Sequence, residues 1–417
     1  MDKIVTTQSA IEATKVAAQR EIERDKILLP ITMDAQRTRL ATQSMPTPTN
    51  TMVLASPYPS STFVLPTLPI PTSTRIPSPT PSSTATRTPP PTPSPSATYT
   101  QLLPTISRST LTPQVIKQEN AGRVEALRVL SSQSWVEDVT FSPDGTILAW
   151  AGNGGIWLYD VQKNLVLNRL TGHTGQVHGV VFSPDSERLY SGGVDVGGGR
   201  VRGWDWRRGA EVWSVIGASE GSGVQVGISN DGTWLVTSGS GRGCILWLVQ
   251  GDGLKQYKSL NFSWCGIPII SSDRKWIAAT EQNGVRMVSL GNDESRFFST
   301  TDSPGLGIGF SPDARIIASG VRDGTVQVWL VNDGKLLRSF DGKSGPVETV
   351  TISPDGQILA AGLSDGKVLL WRVSDGTLLR TLVGHTAKVV SVDFSSGGHW
   401  LASGSNNGTV RLWGVKP

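Results

Sequence analysis

The sequence predicts an all-β fold, a ring of seven four-stranded blades, and three observations carry that prediction. One short phrase, a large apolar residue followed by a Ser-led turn and an apolar run, starts at Phe141, Phe182, Ile228, Ile270, Phe310, Ile352 and Phe394. Successive copies are 41, 46, 42, 40, 42 and 42 residues apart, and a fixed period near 40 marks units that cannot bury their apolar faces alone. All 14 Trp lie after residue 130, whereas 18 of the 26 Pro lie before residue 120, so the repeat region and the N-terminal region are chemically different chains.

Each copy resolves into strands by alternation. In the last one, Val389, Val392 and Phe394 mark a first strand closed by the turn Ser395 to Gly398. Trp400, Leu401 and Ala402 lead a second strand, Asn406-Asn407-Gly408 turns the chain, and Val410, Leu412 and Trp413 alternate along a third. A fourth strand falls between copies, as in Lys335 to Phe340 and Thr377 to Leu382. Four short antiparallel strands per ~40 to 45 residues is one propeller blade. The last copy stops after its third strand, and Val124 to Leu130 has the composition of the missing fourth. A strand edge left unpaired is an aggregation hazard, so the N-terminal strand is expected to close a ring spanning residues 121 to 417, with blade 4 the hardest to delimit.

The motifs carry a family resemblance. Gly172-His173 and Gly384-His385, the SPDG turns at Ser142 to Gly145 and Ser353 to Gly356, Trp204-Asp205 and the closing run Gly408 to Trp413 together resemble the WD-repeat (WD40) β-propeller family, over about the last 295 residues. The Trp-Asp dipeptide departs to Tyr159-Asp160, Trp247-Leu248, Val288-Ser289, Trp329-Leu330, Trp371-Arg372 and Trp413-Gly414 elsewhere. The resemblance implies a buried structural tetrad of His, Ser or Thr, Asp or Asn, and Trp, matched by His173, Ser191, Asp195 and Trp204 in blade 2 and by His385, Ser403, Asn407 and Trp413 in blade 7. A buried imidazole needs partners for both ring nitrogens, so these histidines are read as structural.

Ahead of the ring, residues 42 to 113 are rich in Pro, Thr and Ser and bury too little apolar surface to offset their ordering entropy. An extended, disordered linker over 31 to 120 is expected. Thr6 to Leu29 has Ile11, Ala18, Ile22 and Leu29 at helical spacing and ends at Pro30, which predicts a helix within residues 1 to 30, either a docking helix or a solvated one.

Charge excludes one partner class. Residues 1 to 120 hold 11 Lys or Arg against 7 Asp or Glu, and the remaining residues hold 27 of each, so the basicity lies outside the ring. No nucleic-acid partner is expected. No apolar run reaches the roughly 20 residues of a membrane span, nor the shorter core of a secretory leader. Read literally the chain is cytoplasmic. Thr/Pro-rich spacers nevertheless resemble those holding bacterial envelope domains away from an anchor, which leaves an extracytoplasmic, tethered ring open.

Catalytic signals are weak. Cys244 and Cys265 lie in different copies, give no zinc spacing and read as small core residues rather than a bridge. The glycine-rich stretch Gly192 to Gly199 lacks a following Gly-Lys-Ser/Thr and reads as an extended hairpin. Asp144, Asp185, Asp313 and Asp355 belong to turns, and His399 follows a turn and reads as exposed. No catalytic residue, metal or cofactor is expected.

Two function classes remain: a non-enzymatic scaffold, and a propeller enzyme or small-ligand receptor acting at the central channel, which a channel mouth lined with carboxylates or His would favour. The WD-repeat resemblance favours the scaffold, a monomeric ring holding a protein or peptide on its top face. By register it implies Trp135, Glu137, Gln176, His178, Trp264, Leu306, Glu348 and Lys388 on that rim, with Arg322 beside the hairpin Asp323. Ser222, Val224, Gly266, Pro304, Pro346 and Val390 share the register. Trp135 and Trp264 could instead cap the core.

Overall fold

The computed structural model describes residues 112–132, 134–217, 223–238, 243–263, 265–300, 305–342 and 344–417. The expected helix, and the linker up to residue 111, lie outside the described residues, as does Trp264.

Alternating apolar residues and polar turns build seven four-stranded antiparallel sheets, each running from an inner to an outer strand. Blade 1 is Val136–Phe141, Ile147–Gly152, Gly155–Asp160 and Leu165–Leu170, and blade 2 is Val177–Phe182, Leu189–Asp195, Gly198–Asp205 and Ala210–Ile216. Blade 3 (Val226–Ile228, Trp234–Ser238, Cys244–Gln250, Gly253–Leu260) and blade 4 (Pro268–Ile270, Trp276–Glu281, Gly284–Ser289, Ser295–Ser299) have inner strands of only three residues. Blade 5 runs Gly305–Phe310, Ile316–Val321, Thr325–Leu330 and Leu336–Asp341; blade 6 runs Val347–Ile352, Ile358–Leu363, Val368–Arg372 and Leu378–Leu382. Blade 7 takes Val389–Phe394, Leu401–Ser405 and Thr409–Gly414 from the C-terminus, and its outer strand, Glu125–Ser131, comes from the other end of the ring. Glu125 pairs Gly414 and Ser131 pairs Thr409, which closes the ring. The helix among the described residues is the single turn Ala121–Arg123, far too short to cross a membrane.

The chain is packed earlier than residue 121. The Gln114 amide donates to Val415 O at 2.9 Å, the Ile116 amide donates to Gly398 O at 2.8 Å, and Ile116 is only 2% exposed within the cluster between blades 6 and 7. The boundary expected at 121 therefore moves back to about Pro113. His399, expected on the surface, is half-buried, with Nδ1 2.7 Å from the Pro113 carbonyl. An incoming segment that reads as the end of a Pro-rich linker covers it.

Apolar residues of adjacent blades share clusters, so the core is a set of seams between blades. A recurring aliphatic pair marks five of them, one residue opening the third strand of a blade and the other entering the next inner strand. These are Ile156 with Val177, Val201 with Val224, Val326 with Val347, Val368 with Val389, and Val410 with Val136. At the seam of blades 3 and 4 the same places hold Cys244 and Cys265, which form a disulfide with Cα atoms 5.5 Å apart. The expectation of two free core cysteines is corrected. Both do sit in the core, but strand register brings together residues separated by 21 in sequence.

The Ser-led turns repeat one bonding scheme. In each copy the Ser hydroxyl accepts the amide of the residue five positions on, as from Ile147 to Ser142 (2.9 Å) and from Trp400 to Ser395 (3.0 Å). In six copies it also donates to the turn Asp, as Ser229 does to Asp231 at 2.6 Å. Asp231 is partly buried, which pushes its pKa up, but hydrogen bonds from Ser229, Thr233 and Arg274 outweigh this and hold it at about 2. Gly192 to Gly199 forms two long strands joined at Val196-Gly197, a hairpin as expected.

Candidate functional site

Because strands alternate in direction, the entry to each inner strand and the hairpin between second and third strands lie at one end of the ring, the top. Trp135, Gln176 and Lys388 stand immediately before inner strands, and Glu137, His178, Leu306 and Glu348 are second residues within them. Arg322 follows the second strand of blade 5, is exposed, and has no ion pair among the described residues.

Two links between neighbouring blades join four of these side chains. Gln176 Nε2 donates to Glu137 Oε1 at 2.5 Å, joining blades 2 and 1, and Lys388 Nζ lies 3.8 Å from Glu348 Oε2, joining blades 7 and 6. Burial raises the Glu137 pKa, while the positive charge of Lys388 and the bond from Gln176 pull it down. His178 is half-buried, and desolvation lowers its pKa. Its ring lies against Gly223, where an added Cβ would fall 2.6 Å from the imidazole, so only glycine admits that approach. Trp135 is 59% exposed, between the Ser134 carbonyl that abuts Gly408 and the first strand of blade 1, and so does not cap the core. Leu306 is partly buried.

Beneath the rim the tetrad histidines are held by different partners. In blade 7, Trp413 Nε1 donates to Ser403 Oγ (2.8 Å), which lies 2.7 Å from His385 Nε2. His385 Nδ1 is 2.8 Å from Thr409 Oγ1, whose hydroxyl donates to Asn407 Oδ1 at 2.6 Å. Thr409, which is not one of the four expected residues, therefore stands between His385 and Asn407. In blade 2, Ser191 bridges Trp204 (2.8 Å) and His173 (2.9 Å), and Asp195 Oδ2 lies 3.3 Å from His173 Nδ1 and 2.8 Å from Arg202. Burial lowers His173 to about 4 against the pull of Asp195; burial and the Arg411 charge lower His385 to about 4. Both imidazoles are neutral at pH 7.

A carboxylate pair on the inner strands was not visible as such in the sequence. Asp393 Oδ2 accepts the Phe141 amide of blade 1 (2.8 Å), and Asp138 Oδ2 accepts the Val180 amide of blade 2 (2.9 Å). Ser391 donates to Asp138 Oδ1 at 2.8 Å. Side-chain acceptors thus bind blades 7, 1 and 2 in series. Desolvation raises Asp138 to about 6 and, with the nearby Asp138 charge adding to it, Asp393 to about 7. An Asp with a raised folded-state pKa binds its proton more tightly folded than unfolded, so stability falls as pH rises from about 4 through 7. Asp393→Asn keeps a carbonyl acceptor and removes the buried charge. We expect the variant to exceed the parent by about 1 kcal/mol at pH 8, with the difference shrinking by pH 5, in denaturant titrations at the two pH values. A variant weaker at pH 8, or a difference that does not change with pH, contradicts the assignment.

The comparisons agree with this architecture. The family model described as WD domain, G-beta repeat, matches residues 164–205, 296–329, 334–372 and 376–414. Among similar proteins, pre-mRNA-processing factor 19 of Bos taurus is 24% identical over 213 residues, covering 51% of this chain and 34% of that protein. Protein groucho of Drosophila melanogaster is 27% identical over 46% of this chain and 26% of its own length, and transducin beta-like protein 3 of Bos taurus is 34% identical over 35% and 18%. The chain spans about a third or less of the length of these curated relatives. The chain thus carries four repeats that match the WD-repeat family model, set in a β-propeller whose seven blades share one plan.

Proposed function

We propose that the ring is a non-enzymatic interaction scaffold that holds a protein or peptide partner on its top face. The observation that carries this reading is Trp135: a large aromatic side chain, 59% exposed, on a rim fixed by inner strands and flanked by Glu137, Gln176, Lys388 and Glu348. Exposed Trp and Arg are frequent anchors in binding hot spots because they desolvate large surfaces and still offer polar contacts. Arg322, without an ion pair among the described residues, offers a second anchor across the ring. The alternating charges between them suit a partner segment of mixed charge and disfavour a uniformly anionic polymer.

The test uses Trp135→Ala and Arg322→Ala in the full chain, with partner capture by affinity purification and thermal unfolding measured on the same preparations. A hot-spot anchor loses about 2 kcal/mol of binding, roughly 30-fold in affinity, while an exposed side chain leaves unfolding within ~0.5 kcal/mol. Unchanged capture with both variants removes the top face as the site.

A further inference from the structure

We infer that the ring works in an oxidising compartment, with the Cys244–Cys265 disulfide a covalent rivet between the two blades with the shortest inner strands. Two observations meet at this place. The inner strands of blades 3 and 4 have three residues each, whereas the other five have six, so this seam has the least inner-strand ladder. The inner strand of blade 4 also opens with Pro268, which has no amide hydrogen to give. At this same seam the aliphatic pair found at five others is replaced by two cysteines, 0% and 5% exposed, with Cα atoms 5.5 Å apart, within the usual range for a disulfide. The covalent link joins the two blades whose inner-strand ladders are shortest.

Burial keeps the bridge from reagents in the folded ring, and Trp234, Leu246, Phe262 and Ile277 pack in the same cluster. A bridge so placed forms as the seam closes and then persists, which describes a structural disulfide rather than a catalytic one. Closure joins the two Sγ atoms and releases two protons and two electrons. Thiol–disulfide exchange with an oxidised protein disulfide of the compartment accepts them, leaving that carrier as its dithiol. A reducing cytosol runs the exchange the other way, and structural disulfides are accordingly rare there.

The full chain is recovered from its own cells with acid quenching, free thiols are alkylated under denaturing conditions, and intact mass is compared before and after reduction. The expected result is no alkylated cysteine before reduction and two after; two alkylated cysteines at the outset overturn the inference. In parallel, purified oxidised chain, reduced chain and the Cys244→Val, Cys265→Val double variant are titrated with denaturant. The loop enclosed is long enough that reduction should lower the folded-to-unfolded ratio about 100-fold. The double variant restores the aliphatic pair of the other seams and should group with the reduced chain, insensitive to reductant. Equal stability of oxidised and reduced chains, or a double variant that matches the oxidised parent, overturns the rivet. Should the double variant fail to fold, the thiol count and the comparison of redox states still decide.

Discussion

A chain beginning at Ser132 should fail to fold cooperatively, or lose roughly 5 kcal/mol or more against one beginning at Thr112, because it removes the strand that closes the ring. Glu125–Ser131 supplies the outer strand of blade 7, and the residues ahead of it bury Ile116, Ala121 and Val124 almost completely. Full burial of one such aliphatic contributes about 1.5–3 kcal/mol, to which the lost ladder with Thr409–Gly414 adds. In a ring of this size the melting temperature should drop by about 10 °C or more. Ile116→Ala in the longer chain separates the two contributions: it keeps the strand and should cost about 2–5 kcal/mol. Equal melting of the chains beginning at 112 and 132 would show that closure does not depend on the N-terminal strand.

Ser403→Ala should cost roughly 2–5 kcal/mol, a large effect for the loss of one oxygen. Every proton in the blade 7 chain can be assigned. Thr409 donates to Asn407, so its oxygen accepts from His385 Nδ1–H, which leaves Nε2 bare to accept from Ser403; the Ser403 oxygen then accepts from Trp413. Removing the hydroxyl orphans a buried indole N–H and a buried imidazole nitrogen, at about 1–3 kcal/mol each. Ser403→Thr keeps the hydroxyl, and Thr237 already holds Trp247 in that way in blade 3 (2.9 Å), so it should cost less than about 1.5 kcal/mol. Denaturant unfolding of both variants decides the point, since equal losses would mean that volume rather than hydrogen bonding governs the site. Because His385 has a folded-state pKa near 4 against an ordinary 6.5, the unfolded chain takes up its proton first on acidification. Its contribution is therefore complete above pH 6.5 and lost as pH falls toward 4, opposite in sign to that of Asp393.

The repeat made the seven blades legible, since a period near 40 with Ser-led turns admits few other folds. Closure was legible too, because an unpaired third strand in the last repeat and an apolar run ahead of the first answer each other. What escaped depends on partners remote in sequence. Cys244 and Cys265 show neither metal spacing nor a disulfide framework; only the register of adjacent blades makes them neighbours. Asp138 and Asp393 read as the polar face of half-buried strands, and their amide donors belong to the next blade. Thr409 follows a hairpin Asn and looks like turn chemistry until the His385 ring lies against it. On the top face, the Gln176–Glu137 and Lys388–Glu348 links pair residues about 40 apart in sequence and appear only with side chains in view.

The pairing of Glu125 with Gly414 also sets a clock on biosynthesis. An outer strand made before the other three strands of its blade must wait, its apolar side unsatisfied, until nearly 300 further residues have been made. Chains that grow from the N-terminus can complete their early blades in order, but the last contact joins the two ends of the ring and cannot form before Thr409–Gly414 has been made. So long a loop closure makes this step slow relative to blade formation and leaves the waiting strand free to pair with a neighbouring molecule in the meantime. A product lacking Thr409–Gly414 would keep that exposed edge permanently, so completion of the ring rests on the one seam that its first and last strands share.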